Sequence, residues 1–229
     1  MKFIRIVYNL VLWTFVSSVF IVLALKYINP PLTPIIAIRA FENIAELNPA
    51  GIHKVWKNYD EVSPYIFQAI VGGEDARFMK HSGIDWRAVR DAQSYNRRNE
   101  GRKKRGASTV TMQTAKNTFL THSRNYIRKA FEAYFTYMIE AIWGKKRILE
   151  MYVNVVEFGD GIYGAEAGAR KNFGKSALNL NRKEAALIAA VLPNPRRWTP
   201  ASPTPYIDKR ANWIMGRMGP ALIPKNNKK

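Results

Sequence analysis

The stretch Ala69–Asp91, AIVGGEDARFMKHSGIDWRAVRD, gathers Glu74, Asp75, Arg77, His81 and Asp85 between two apolar segments. Glu74 and Asp75 directly follow Gly72-Gly73, and glycine lets a backbone turn or approach a ligand closely. Flanked by Ile70, Val71 and Phe78, a carboxylate here can sit in a half-dry cleft. Desolvation raises a carboxyl pKa and suits it to general-base work. The same residues also fit a plain helix start with acidic groups near its positive end. A second reactive stretch is Gly106–Asn117, GASTVTMQTAKN, with Ser108, Thr109, Gln113, Lys116 and Asn117. A helix start rich in hydroxyls, with a lysine nearby, makes a workable phosphate cradle. An ordinary capped surface helix has the same composition. Farther on, Arg128 and Glu132 lie one turn apart beside Lys129. Arg before Glu is the weaker order for a simple surface pair, so the spacing gains helix stability little and hints at a site.

These groups need elements to hold them. Ser63-Pro64 reads as an N-cap and first helical residue, opening a helix that runs through Ile66, Ala69 and Ile70 into the acidic cluster. Trp86–Ser94 reads as another helix, followed by the cationic loop Arg97–Arg105. Ser108 or Thr109 caps a helix through Met112, Ala115 and Phe119. Arg124–Trp143 is the strongest helix, with Phe131, Phe135, Met138 and Ile142 as its expected core stripe. Gly144 breaks it, and Lys145–Val155 continues as a further helix. Phe158–Gly164 is a glycine-rich loop without nucleotide-binding spacing. Asn181 with Glu184 forms a capping-box start for a helix ended by Pro193 and Pro195, and Tyr206–Met218 is the last helix. Ile35–Ile38 fits either a short strand or a helix start, and His53 and Trp56 read as surface and packing residues. No internal repeat and no set of alternating strands stands out. The expected fold is mainly α.

The 229 residues contain no cysteine, so disulfides, thiolate zinc and cysteine nucleophiles are excluded. Thirty-six Lys+Arg against 17 Asp+Glu leave a net charge of +19, which favours an anionic partner. The segment Ile6–Leu25 is free of charge and would span about 30 Å as a helix. A cleaved signal peptide is the alternative, but Ala24-Leu25-Lys26 lacks an Ala-x-Ala-like site and the apolar run is long. A retained single-pass anchor is expected. Lys2 and Arg5 favour an inside amino terminus with the domain outside the cytoplasm. The expected organisation is a short cytoplasmic end at 1–5, an anchor at 6–25 and a linker at 26–50. A domain at 51–220 and a basic tail at 221–229 follow. An exported, tethered domain argues against nucleic acid as the partner and for lipid headgroups or a phosphate-bearing substrate at the membrane surface.

In this order the stretches resemble the peptidoglycan glycosyltransferase family (glycosyltransferase family 51), the domain shared by class A penicillin-binding proteins and monofunctional enzymes. Glu74-Asp75-x-x-Phe78-x-x-His81-x-Gly83 resembles its first motif, and Gly106-x-Ser108-Thr109-Val110-Thr111-x-Gln113-x-x-Lys116-Asn117 its second. Arg128-Lys129-x-x-Glu132 resembles the third, and Lys145-x-x-Ile148-Leu149-Glu150-x-Tyr152-Val153-Asn154 the fourth. Ala185–Pro195 is similar to a later segment of the family. Two positions depart from the pattern: Met112 stands where the family usually has the first Gln of a pair, and Val153 where it has Leu. With no Ser-x-x-Lys transpeptidase region in the chain, the likeness is to the monofunctional type.

The resemblance implies a lysozyme-like fold of two lobes around a cleft. It implies polymerisation of lipid II into β-1,4-linked strands with release of undecaprenyl diphosphate. Glu74 would be the base, and Glu132 would assist at the donor side by positioning cations or a divalent metal, Mg²⁺ or Mn²⁺. Lys116, Arg128 and Lys129 would bind the diphosphate; Asp75, Phe78, His81, Ser108, Thr109, Gln113 and Asn117 would shape the cleft. The implied setting is the bacterial plasma membrane, with the catalytic domain on the outer face among other cell-wall synthesis or division proteins. Three readings compete. A lysozyme-like hydrolase or lytic enzyme needs no diphosphate-binding cations. A scaffold with a decayed site has no reason to keep both glutamates. A nucleic-acid module shows no binding motif.

Overall fold

The computed structural model describes residues 2–45, 51–123 and 125–225. Part of the expected linker (46–50), Arg124 and tail residues 226–229 lie outside them.

The amino-terminal helix α1 (Lys2–Tyr27) leaves its apolar side chains outward, and among its residues only Val22 is buried. It is long and apolar enough to cross a membrane, with a mean hydropathy of 2.2. Pro30 and Pro31 follow its end, and the ambiguous Ile35–Ile38 stretch proves to be the start of helix α2 (Pro34–Ala45). Lys54, in the two-residue strand β1 (His53–Lys54), donates to the carbonyls of Pro30 and Pro31.

Ten residues later the chain enters α3 (Pro64–Glu74), whose residues Ile66–Gly72 are all buried. Proline occupies its first turn as expected, but the Ser63 hydroxyl donates to the Leu180 carbonyl instead of capping α3. Helix α4 (Trp86–Arg98) is capped by Asp85, which accepts from the backbone of Arg87 and Ala88. Next come α5 (Val110–Phe119), α6 (Tyr126–Ile142) and α7 (Gly144–Val155). Gly144, at φ +75°, makes the break between the last two.

Two features were not legible in the sequence. The Phe158–Gly164 loop is a hairpin of β2 (Glu157–Gly159) and β3 (Ile162–Tyr163), with β1 pairing in parallel on the other edge of β3. Strands of two or three residues carry no readable alternation. Helix α8 (Ala165–Phe173) likewise went unread, because its short Ala/Gly face gives a weak period. The capping box at Asn181 and Glu184 does open α9 (Arg182–Val191), and α10 (Pro205–Met215) follows with Thr204 as its cap.

Packing falls into two groups that meet on one core. Helix α9 packs against α3 and α10, with Ala185–Val191 all buried. Helices α5, α6 and α7 form the other group. The stripe expected on α6 is corrected by a rotation. Its most buried side is Glu132, Thr136, Ile139 and Trp143, while Phe135, Met138 and Ile142 are only partly buried and Phe131 is 47% exposed. The face turned toward α5 carries the charged Glu132, so the hydrophobic period alone misplaces the buried side. Helix α1 docks on α6 through specific contacts: the Trp143 indole donates to the Val22 carbonyl at 2.7 Å, and Ser18 shares a hydrogen bond with Tyr134.

Candidate active site

Glu74 lies at the C-terminal end of α3, not at a helix start, so the reading of its carboxylate as a dipole-stabilising group is corrected. The Gly72-Gly73 pair is not a turn either. It lies within α3, where a Cβ at Gly72 would meet the Arg217 carbonyl at 3.3 Å and one at Gly73 would meet Ile214 at 3.2 Å. The glycines let the end of α10 close on α3. That approach carries Arg210 to the cluster, where its Nη2 donates to Glu74 Oε1 at 3.1 Å. The other carboxylate oxygen, Oε2, accepts from Gln113 Nε2 at 3.1 Å. Glu74 is thus held from two sides while remaining part-exposed.

Asp75 has a different task. It is 7% exposed, and its carboxylate accepts from His81 Nε2 at 3.0 Å and from the Val110 amide at 3.0 Å. The Val110 amide is the first of α5, and the Thr109 hydroxyl accepts from Met112 while donating to the Gly83 carbonyl. The amino end of α5 is therefore filled by the protein's own groups, which supports the capped helix over the phosphate cradle as its reading. Ser108 lies outside this cap and is exposed. Gly83 sits at φ +95°, and a Cβ on it would come within 2.7 Å of Thr136. It presses the loop after His81 against α6. Phe78 is fully buried in the same turn. Asp85 is held below the usual carboxylate range: burial opposes this, but the Ala88 and Arg87 amides and the charges of Arg77 and His81 prevail.

The cations gather on the far side of α5. Gln113, Lys116 and Asn117 line an open cavity of about 520 Å³, walled also by His122, Glu157, Asn194 and Arg196. Met112 is buried on the inner side of α5, so the departure from the Gln pair falls in the core. Burial draws the Lys116 ammonium below the usual lysine range; Arg128 and Lys129 push the same way, while Glu132 and Glu74 oppose them. Lys116 therefore lies within electrostatic reach of both glutamates. Glu132 is 3% exposed, and its two oxygens accept from Arg128 Nη1 and Lys129 Nζ, each at 2.5 Å. The i, i+4 spacing noted in the sequence is a direct ion pair. Burial also lowers the pKa of His122, with Lys116 and Arg196 contributing.

The fourth motif supports the other three from α7. Lys145 Nζ donates to the His81 carbonyl at 2.7 Å and to Glu140 at 2.6 Å, with its ammonium 4.3 Å from the centre of the Phe78 ring. Asn154 exchanges hydrogen bonds with the Lys57 backbone, and Glu150 accepts from the Tyr59 amide. The Tyr152 hydroxyl donates to Gln113 Oε1 at 3.1 Å. Sequence reasoning missed Arg210 altogether, because a lone arginine on a predicted helix carries no spacing signal toward a carboxylate 136 residues away.

Comparison with known proteins identifies the family. A family profile described as "Transglycosylase" matches residues 41–219. A "Biosynthetic peptidoglycan transglycosylase" of Bdellovibrio bacteriovorus is 46% identical over 215 residues, covering 94% of this chain and 85% of the relative. One of Rhodospirillum centenum is 51% identical over 193 residues, covering 84% of this chain and 80% of the relative. One of Shewanella oneidensis is 44% identical over 225 residues, covering 96% and 94%.

Proposed function

The chain belongs to the transglycosylase family, and from that premise we propose that it polymerises lipid II into linear peptidoglycan strands with Glu74 as general base. The observation that carries this reading is a part-exposed glutamate, anchored by Arg210 and Gln113, within electrostatic reach of a lysine that also feels Arg128, Lys129 and Glu132. A base and a cationic site in that arrangement suit attack of a hydroxyl on a sugar diphosphate.

In the proposed step the 4-hydroxyl of the acceptor sugar loses its proton to Glu74 as its oxygen attacks C1 of the donor. The C1–diphosphate bond breaks, and its electron pair leaves with the diphosphate. An α-linked donor thereby gives a β-1,4 link with inversion. The leaving group is already a stable anion, so it needs charge neutralisation more than protonation. Lys116, Arg128 and Lys129 supply that charge. Glu132 holds the Arg128 and Lys129 heads together and offsets part of their mutual repulsion. The His81–Asp75 pair and the Thr109 cap keep the α3 end and α5 in register around the site.

The donor set does not fit a protein-held divalent cation. Among the described residues no three His, Cys, Asp or Glu side chains converge, and both Glu132 oxygens are engaged by cations. Lys116, Arg128 and Lys129 are the neutralising groups that the chain itself supplies. The apolar helix α1 supports membrane anchoring. We assign the amino terminus to the cytoplasmic side on the charge of Lys2 and Arg5, and the catalytic domain to the outer face of the plasma membrane. A growing lipid-linked strand is then both donor and product, and other cell-wall synthesis or division proteins are its expected neighbours.

The test is polymerisation of labelled lipid II by the detergent-solubilised full chain beside Glu74→Gln. The wild type gives a ladder of strands, and the variant falls by about 10²–10⁴, the usual worth of a general base. Equal ladders from both would remove Glu74 from the role; no ladder from folded wild type would remove the reading itself.

A further inference from the structure

We propose that Tyr152 is a positioning residue for the base, acting through Gln113: its hydroxyl fixes which way the Gln113 amide faces, and the amide in turn orients Glu74. This rests on the reading of Glu74 as the base.

The argument starts from what an amide can do. Gln113 has one accepting and one donating end, and rotation by half a turn exchanges them. Facing a carboxylate, only the donating end is attractive. Nε2 lies 3.1 Å from Glu74 Oε2, so Oε1 points inward to a place where it must find a donor. Tyr152 supplies one, with its hydroxyl 3.1 Å from Oε1. A flipped amide would set its oxygen against Glu74 and its NH₂ against the hydroxyl. The phenol oxygen could accept from that NH₂, but its own buried proton would then lose Gln113 Oε1, its one hydrogen-bond acceptor among the described residues. Burial raises the Tyr152 pKa well above its usual value, with the charges of Glu74 and Asp75 adding to the rise, so the proton stays on the ring oxygen.

The elements give the chain of contacts its stiffness. Tyr152 is fully buried in α7, between Met151 and Val153, which are also fully buried. Helices α5 and α7 pack against each other. Asn154, two residues on, is tied to both the amide and the carbonyl of Lys57. The hydroxyl therefore has almost no freedom, and it passes that order to a half-exposed glutamine and a part-exposed glutamate. Without it, Glu74 keeps Arg210 on one oxygen but loses its fixed donor on the other. A single salt-bridged contact leaves a carboxylate free to swing.

Tyr152→Phe deletes the oxygen and keeps the ring, so the core stays filled. The expected result is a fall of about tenfold in kcat, the worth of one well-placed hydrogen bond. The KM for lipid II stays within about twofold, since no substrate contact is removed. The effect must also disappear in a Gln113→Ala background, because a relay cannot act through an absent link. Unchanged kcat in Tyr152→Phe, or losses that multiply in the double variant, overturns the proposal.

A second readout does not depend on turnover. The sequence holds three glutamines, Gln68, Gln93 and Gln113, so glutamine-selective ¹⁵N labelling gives three side-chain amide signals, with Gln113 assigned from Gln113→Ala. Tyr152→Phe should broaden or move the Gln113 pair and leave the other two in place. A Gln113 signal identical to wild type overturns the relay even if the protein polymerises nothing. Failure of wild-type turnover with a shifted Gln113 signal instead strikes the glycosyltransferase reading.

Discussion

The two oxygens of Glu74, the proposed base, are addressed by different parts of the chain, Arg210 from α10 and Gln113 from α5. Lys116 makes the second residue-scale contribution, and its environment sets a pH limit. Burial lowers its pKa, so in the free enzyme the ammonium loses its proton at a pH below the usual lysine value of 10.5. If the charged form binds the diphosphate, kcat/KM holds at lower pH and falls as pH rises through that lowered value. Lys116→Arg, which stays charged, should push this basic limb upward while reducing the plateau, because a guanidinium does not reproduce the ammonium's geometry. A pH profile of initial polymerisation rates for the two proteins decides it; coincident basic limbs would assign that limb to another group.

Among the elements, α7 and α10 are legible as helices, but their contacts with the site, Tyr152 to Gln113 and Arg210 to Glu74, are not. The helices themselves were legible: the caps at Thr109 and Asn181, the proline at Pro64 and the break at Gly144 are local signals, and each falls where the structure uses it. What each helix end faces is a tertiary fact. The amino end of α5 looked open to phosphate because Asp75, which fills it, comes from 35 residues earlier. Gly72-Gly73 looked like a turn because closeness to another helix and closeness to a ligand ask for the same residue. Phe131 looked like core because a helix bearing a buried Glu132 breaks the rule that the apolar side is the inner one. The glycine pair gives a test at this scale. Gly72→Val would drive its side chain into the Arg217 carbonyl, which a Cβ already meets at 3.3 Å. Overpacking of this kind costs about 1–3 kcal/mol. A lowered melting temperature should come with a loss of activity larger than the stability loss explains, since α10 carries Arg210. A variant with reduced melting temperature but full activity when folded would show that Arg210 reaches Glu74 by another path.

At the scale of the molecule, the anchor is part of the domain. Beyond the Trp143 and Ser18 contacts, Arg147 donates to the carbonyls of Leu25 and Ile28 where α1 ends. The apolar helix α1 is therefore tied to the fold, and under the proposed anchoring the site would keep one height above the bilayer. The absence of cysteine makes orientation simple to measure. Glu100→Cys on the domain should react in intact cells with a maleimide that cannot cross the membrane, and Lys2→Cys should react only after lysis. The reverse pattern would invert the assigned topology. The Arg210–Glu74 contact, spanning 136 residues, also bears on how the protein is made. By the time α10 leaves the ribosome, α1 has long been available for membrane insertion, and Lys116, Arg128, Lys129 and Glu132 have already emerged. Glu74 alone still lacks one of its two partners. A chain translated only as far as α9 can therefore offer Glu74 the Gln113 amide but not the Arg210 guanidinium.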